Sequence, residues 1–386
     1  MEKDEGVIEM NGSSAKISIV IPTYNEAGNM LPLLSRIKQA LGEENYEVII
    51  VDDNSPDGTA NRAIEASSEL NMSDRVKVIV REKERGLSTA VIRGIESSSG
   101  DIVVVMDADL QHPPEDIKRI IHPIVSGKAE VSIGVRKGKG YRGLSFFRKI
   151  ISRGASLVSK LLLPQTRNIT DPMSGFFAFR RDVFLRTKGS LNPRGFKIML
   201  ELIVKGKVPD NKIAEVEYTF EKRQWGKSKL NSREMLNFVW HLLVLNEFRI
   251  LKFMLVGVSG IFVNEGVLWL AYYREKILLE ISAALGIESS IISNFILNSL
   301  LTFGKRKGGS IAEKLAKYHI STALGVSINY FTLLLLTRLF GIEPLLSNLI
   351  GIIFGFLANY ALSEHFVWKE TFSPDRAINS KETRRG

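Results

Sequence analysis

The chain has 386 residues, no cysteine and a formal charge of +10 at pH 7, and its length alone implies two or more folding units. Lack of cysteine excludes disulfides, thiolate catalysis and cysteine metal sites. The excess of Lys and Arg favours an anionic partner, whether nucleic acid, lipid headgroup or phosphorylated substrate.

In chain order, residues 1–15 carry no apolar signal core and read as a flexible leader. Ile17–Thr23, Val48–Asp53, Val76–Val80, Ile102–Asp107 and Val131–Val135 are β-branched apolar runs of strand length. Helical patterns lie between them near Asn29–Leu41, Gly58–Leu70, Leu87–Ser97 and Pro114–Ile124. Such alternation predicts a mostly parallel sheet with helices on both faces, and ligands in these sheets bind beyond the carboxyl ends of the strands. Acidic corners stand at three of those ends: Pro22-Thr-Tyr-Asn-Glu26, Asp52-Asp-Asn-Ser-Pro-Asp-Gly58 and Asp107-Ala-Asp-Leu-Gln111.

In extended chain Asp107 and Asp109 share one side, with Cα atoms about 7 Å apart, and two uncompensated carboxylates so placed repel each other. A divalent cation removes that cost. Mg²⁺ or Mn²⁺ takes hard oxygen ligands, here both carboxylates and the amide of Gln111, and is usually shared with substrate phosphates. Asp-x-Asp by itself is a common turn or helix cap; its weight comes from standing beside two other acidic corners. Cations for the same phosphates are available at Arg136, which closes the fifth strand, and in the loop Arg223-Gln-Trp-Gly-Lys-Ser-Lys229. That loop is either simply solvated or a clamp in which Arg223 and Lys229 stabilise a departing diphosphate.

Two amphipathic stretches follow the strands. Over about 145–163, Phe146, Phe147, Ile150, Ile151, Leu157, Val158, Leu161 and Leu162 share one helical face, with Arg148, Lys149, Arg153 and Lys160 on the other. This suits a membrane interface, with packing on the core as the alternative. Met235–Phe248, within a connector over 230–249, is the second. Beyond it the composition turns apolar, and Phe253–Tyr273, Ile281–Phe303, Ile320–Leu339 and Leu345–Ser363 are each long enough to cross a bilayer. Lys/Arg bias in the 305–317 loop and the 369–386 tail predicts cytoplasmic termini. Ser293–Phe303 resembles Ala358–Trp368, which suggests two related hairpins within 250–368. Asn264 and Glu265 lie mid-span and suit either helix-to-helix hydrogen bonds or a functional site.

Five of these motifs in order, Ile21–Glu26, Val51–Gly58, Met106–His112, Asp171-Pro-Met-Ser-Gly175 and Arg223–Lys229, resemble family 2 glycosyltransferases of GT-A fold. The resemblance spans about Lys16 to Asn246 and is strongest to polyprenyl-phosphate glycosyltransferases of the dolichyl-phosphate mannose synthase group. The membrane half is similar to the GtrA-like four-helix domain fused to some members. The implied architecture is an α/β GT-A domain over 16–229 plus an all-α membrane domain of four transmembrane helices over 250–368.

The implied reaction is inverting transfer of mannose from GDP-mannose to dolichyl phosphate. By matching motif, Pro22, Tyr24, Glu26, Val51 and Asp53 hold the nucleoside, and Asp107, Ala108, Asp109 and Gln111 hold the metal and diphosphate. Arg136, Arg223 and Lys229 complete the donor site; Asp107, Asp109, Arg223 and Lys229 are the candidate catalytic groups. A lipid phosphate is already anionic at neutral pH, so no strong general base is needed, and Asp171 is not assigned as one. Arg148 and Ser152, one turn apart, are the candidate ligands of the acceptor phosphate. Two rival readings remain: a glucosyl or GlcNAc transferase using a UDP-sugar, and a membrane flipping or transport protein with a nucleotide-sugar-binding half. No nucleic-acid recognition motif is present.

Overall fold

A computed structural model describes residues 9–10, 13–136, 157–172, 174–187, 189–191, 198–219, 221, 232–304, 306 and 308–369. The chain divides into two compact units, Met1–Leu245 and Asn246–Gly386.

In the first unit a seven-stranded sheet is built from β1 (Ile17–Thr23), β2 (Tyr46–Asp52), β3 (Val76–Val80), β4 (Ile102–Val105), β5 (Val131–Arg136), β6 (Phe177–Arg180) and β7 (Ile213–Tyr218), in the order β3-β2-β1-β4-β6-β5-β7. Only β6 runs antiparallel to its neighbours; β1–β2, β1–β4, β2–β3 and β5–β7 are parallel. Every residue of β1 is buried, which is why it is mostly apolar, with Ser18 and Thr23 as its polar members, rather than strictly alternating. α1 (Ala27–Leu41), α2 (Thr59–Glu69), α3 (Leu87–Glu96) and α4 (Ile117–Val125) fill the connections. The core gathers Ile19, Ile21, Met30, Leu34, Ile50, Val104 and Ile120. α3 covers another part of the sheet, and Gly94 lets it approach: a Cβ there would stand 2.4 Å from Val20 Cγ1. α5 (Arg181–Thr187), α6 (Ile198–Lys205) and α7 (Ser232–Leu245) follow in the same unit.

Two strands depart from the sequence reading. β6 is only four residues, and β7, Ile-Ala-Glu-Val-Glu-Tyr, is an edge strand with Ile213–Val216 half-buried and Glu217 exposed, so neither shows an apolar run. The fourth strand ends at Val105, not Asp107, and Asp107-Ala-Asp109 lies in a bend beyond it.

Among the described residues the second unit contains α8 (Arg249–Trp269), α9 (Leu279–Leu297), α10 (Ile311–Phe340) and α11 (Pro344–Leu362). Extended by π-helical turns at Leu270–Arg274, Asn298–Thr302 and Ser363–Val367, these are four helices long and apolar enough to cross a membrane. Phe262, Leu285, Phe331 and Leu349 are among their many exposed apolar side chains, the surface a helix offers to lipid. α10 begins nine residues before the expected span, because Ser310 caps it by accepting the Glu313 N–H and its first turns carry Lys314 and Lys317.

α8 packs on α9 and α10 on α11. Asn294 lies against Gly260 and Asn264 against Gly286; 65 residues later Asn359 lies against Gly325 and Asn329 against Gly351. The same offset separates Phe303 from Trp368, whose rings stack at 4.5 Å. Glycine at these positions lets helices meet at backbone distance. Asn264 therefore sits between helices, whereas Glu265 is exposed. At one end of the bundle the fully buried Glu364 pairs with Arg306, lies 3.5 Å from Arg249 and accepts a hydrogen bond from Tyr360 Oη at 3.1 Å. Arg306 also donates to the backbone carbonyls of Glu364 and Trp368, tying the end of α9 to the end of α11.

Candidate active site

The carboxyl ends of β1, β2, β4 and β5 carry the polar residues anticipated there. After β1 the chain turns through Asn25 at φ +62°, and after β2 through Asn54 at φ +53°, a conformation Asn tolerates better than most side chains. The two turns are laced together. Asp52 accepts from Thr23 Oγ1 at 2.9 Å and from the hydroxyl and amide of Ser55; the Ser55 hydroxyl accepts the Asn25 N–H, and Asp57 accepts the Ala27 N–H at 3.1 Å. Pro22 and Val51 are buried beneath, and Tyr24 and Glu26 are half-buried above them.

Asp53 is bound to Arg81, a residue the sequence reading passed over. Arg81 is 6 % exposed and donates through Nε and Nη2 to Asp53 Oδ1, while Asp53 Oδ2 accepts the Gly86 N–H at 2.8 Å. Asp53 thus fixes the 81–86 loop, whose Arg85 guanidinium lies 5.6 Å over the Tyr24 ring. Arg81 follows β3 directly and so stands at the same rim, a position legible once that strand is drawn.

The third corner is the bend Asp107–His112. Leu110 is buried at φ +63°, a left-handed conformation costing a non-glycine residue about 1–3 kcal/mol unless its surroundings hold it. Two bonds close the bend: the Asp107 N–H donates to His112 Nδ1 at 3.0 Å, and the Gln111 N–H to Asp109 Oδ1 at 3.1 Å. Gly175 backs it, since a Cβ there would lie 3.1 Å from Asp107 Oδ2 and 3.2 Å from His112 Cε1. Gln111 Nε2 reaches the Glu221 carbonyl at 3.4 Å, and the Glu221 N–H donates to the Gln111 carbonyl. Arg36 holds Glu221 and Glu115 together. Hydrogen bonds donated to Glu115, then to Glu221, raise the Arg36 guanidinium further above its already basic range.

Arg136, the last residue of β5, donates through Nε and Nη2 to Asp171 Oδ2 at 2.9 and 2.7 Å. Asp171 is 6 % exposed, engaged as the partner of this cation. Ser174 donates to the Gly134 carbonyl and accepts from the Phe176 N–H, so the short segment Asp171–Gly175 meets Arg136 through Asp171 and backs Asp107 through Gly175. Burial, opposed by Arg136 and reinforced by Asp171, Asp107 and Asp109, pushes the Tyr218 phenol well up from its usual range. That phenol senses the charges that meet at this rim.

The structure brings Pro22, Tyr24, Glu26, Val51, Asp53, Asp107, Ala108, Asp109, Gln111 and Arg136 to one edge of the sheet. Arg223 and Lys229, and Arg148 and Ser152 with most of the 145–163 stretch, lie outside the described residues. Arg223 is two positions beyond Glu221, which is itself tied to Gln111. Among the described residues no cluster of three or more His, Cys, Asp or Glu side chains is gathered for a metal. Two carboxylates with an amide oxygen nevertheless fit a hard cation that takes its other ligands from phosphate and water.

An acidic rim at the carboxyl ends of a mostly parallel sheet is thus found in one chain with four helices long and apolar enough to cross a membrane. Residues 18–187 match the family model Glycosyl transferase family 2, and residues 252–368 match GtrA/DPMS, transmembrane domain. Over 360 residues the chain is 45 % identical to the Dolichol-phosphate mannosyltransferase of Pyrococcus furiosus, covering 92 % of this chain and 99 % of that one. A Dolichol-phosphate mannosyltransferase of Mycosarcoma maydis is 37 % identical over 61 % of this chain and 81 % of its own length. Among solved structures, glucosyl-3-phosphoglycerate synthase from Mycobacterium tuberculosis, in complex with Mn²⁺, UDP-glucose and phosphoglyceric acid, matches with a TM-score of 0.49 at 19 % identity, over 60 % of this chain and 80 % of that one. The chain belongs to the dolichol-phosphate mannosyltransferase family and is an integral membrane enzyme.

Proposed function

We propose that this enzyme transfers mannose from GDP-mannose to dolichyl phosphate, with inversion at the anomeric carbon and with the aid of Mg²⁺ or Mn²⁺. The observation that carries this reading is the near full-length likeness to the Dolichol-phosphate mannosyltransferase of Pyrococcus furiosus, which extends over both the catalytic and the membrane parts of this chain. The acidic rim supports it with residues suited to each task. Tyr24, Glu26 and Asp53 receive the nucleoside, and Arg136, Arg223 and Lys229 receive the diphosphate. Asp107, Asp109 and Gln111 hold the cation, which when bound supplies positive charge against the leaving diphosphate.

The remaining catalytic power comes from placement. Dolichyl phosphate brings its own anionic oxygen, so the site needs positioning and charge stabilisation rather than a general base. The engagement of Asp171 with Arg136 agrees with that division of labour. Arg148 and Ser152 hold the acceptor phosphate at the membrane surface, and the termini and catalytic unit face the cytoplasm, as the basic 305–317 loop supports.

The test is a donor panel. Purified enzyme is given GDP-mannose, GDP-glucose, UDP-glucose and UDP-GlcNAc with dolichyl phosphate, and the lipid-linked product is identified with its anomeric form. β-Linked mannose from GDP-mannose alone is expected. Preferential transfer from a UDP-sugar overturns the donor assignment.

A further inference from the structure

His112 closes the motif that begins at Met106, yet the proposed reaction gives it no task. It is 3 % exposed, its ring stacks on Phe176 at 5.2 Å and 17° and stands edge-on to Tyr218 at 5.8 Å, and Phe176 meets Tyr218 edge-on at 5.4 Å. The ring is thereby fixed in orientation. Its Nδ1 accepts the Asp107 amide N–H at 3.0 Å, and a nitrogen that accepts carries no proton. Between the two residues so joined stands Leu110 at φ +63°, the left-handed residue that turns the chain so that Gln111 can donate to Asp109. The His112–Asp107 bond therefore spans the whole bend from its first residue to its last.

We propose that His112 is a positioning residue for the diphosphate and metal site. It latches the Asp107–Gln111 bend through an imidazole acceptor and does not itself touch substrate or cation. The inference rests on the reading of Asp107, Asp109 and Gln111 as ligands. An acceptor at Nδ1 and an aromatic ring between Phe176 and Tyr218 are separable requirements, because Phe supplies the ring without the acceptor. Asn supplies a δ-position oxygen without the ring.

The experiment uses the full chain in lipid nanodiscs. Mn²⁺ binding is measured by loss of the free-ion electron paramagnetic resonance signal, with and without GDP, for wild type, H112F and H112N; thermal midpoints are recorded alongside. The wild type is expected to bind Mn²⁺, H112F to bind it at least tenfold more weakly while remaining folded, and H112N to recover most of the loss. Wild-type affinity in H112F, or an equally weakened yet folded H112N, overturns the latch. If H112F does not fold, H112N decides alone: near wild-type affinity supports the proposal and a tenfold loss overturns it. A wild type that binds no Mn²⁺ brings down the metal reading first, and this inference with it.

Discussion

Replacing Glu364 by Gln keeps its volume and removes the carboxylate that faces Arg306 and Arg249. The side-chain exposures are 0 % for Glu364, 5 % for Arg306 and 16 % for Arg249. Stripping the counter-charge from a buried pair costs about 3–5 kcal/mol, because the cation left behind is still desolvated. Arg306 retains its bonds to the Glu364 and Trp368 carbonyls at 2.8 and 2.9 Å, and Arg249 reaches some solvent, so the lower end, about 3 kcal/mol, is expected. At roughly 2–4 °C per kcal/mol, E364Q lowers the thermal midpoint of the membrane unit by about 6–12 °C. The assay is thermal unfolding of the full chain in nanodiscs, run for E364Q, R306M and R306M/E364Q. The double variant should be more stable than E364Q alone, since it removes a buried cation along with its partner, giving a coupling of at least ~1 kcal/mol. An E364Q midpoint within about 2 °C of wild type, or costs that simply add, refutes the view of Glu364 as the counter-charge that holds the two hairpins together.

Loss of Asp171 acts through Arg136: D171A removes two charge-assisted hydrogen bonds worth about 1.5–3 kcal/mol each, so the donor KM should rise tenfold or more while the lipid acceptor KM changes little, and equal effects on both substrates in steady-state assays contradict the pairing. R148A should do the reverse, raising the acceptor requirement and sparing that for donor, as the same assays read out. Glu47 gives a pH signature. Burial pushes it up, but hydrogen bonds from Ser18, Ser99 and Lys16 outweigh burial and hold it at about 2. A depressed carboxylate contributes stability above its unfolded pKa, and that stability is lost as pH falls through the folded value. Wild type should therefore lose stability between about pH 4.5 and pH 2, and E47Q, weaker at pH 7, should lose less over the same window in acid unfolding followed by circular dichroism.

Much of the architecture was legible because its central strands are buried on both faces. Ile102–Val105 is apolar at every position and Ile17–Ile21 at all but Ser18, and the acidic corners declare themselves by following those runs. β7 escaped because an edge strand keeps one side wet and so carries Glu215 and Glu217, and β6 because four residues leave no period to count. The start of α10 was hidden by Lys314 and Lys317, which belong to turns preceding its apolar span. Within the site, the residue types at the rim were readable but their partners were not. That Asp53 binds Arg81, that Asp171 binds Arg136 and that His112 bonds back to Asp107 depend on loop paths separated by 28, 35 and 5 residues. A local pattern records none of these pairings.

The central claim is that two neighbouring carboxylates hold a cation that lets a sugar leave its diphosphate for a lipid phosphate. Its most direct test is the initial rate of mannosyl transfer from GDP-mannose to dolichyl phosphate, measured for wild type with Mn²⁺, wild type with chelator, and D107N/D109N with Mn²⁺. The account predicts a rate with Mn²⁺ that falls by two orders of magnitude or more in the other two conditions. Transfer that continues unabated with chelator and in the double variant contradicts it.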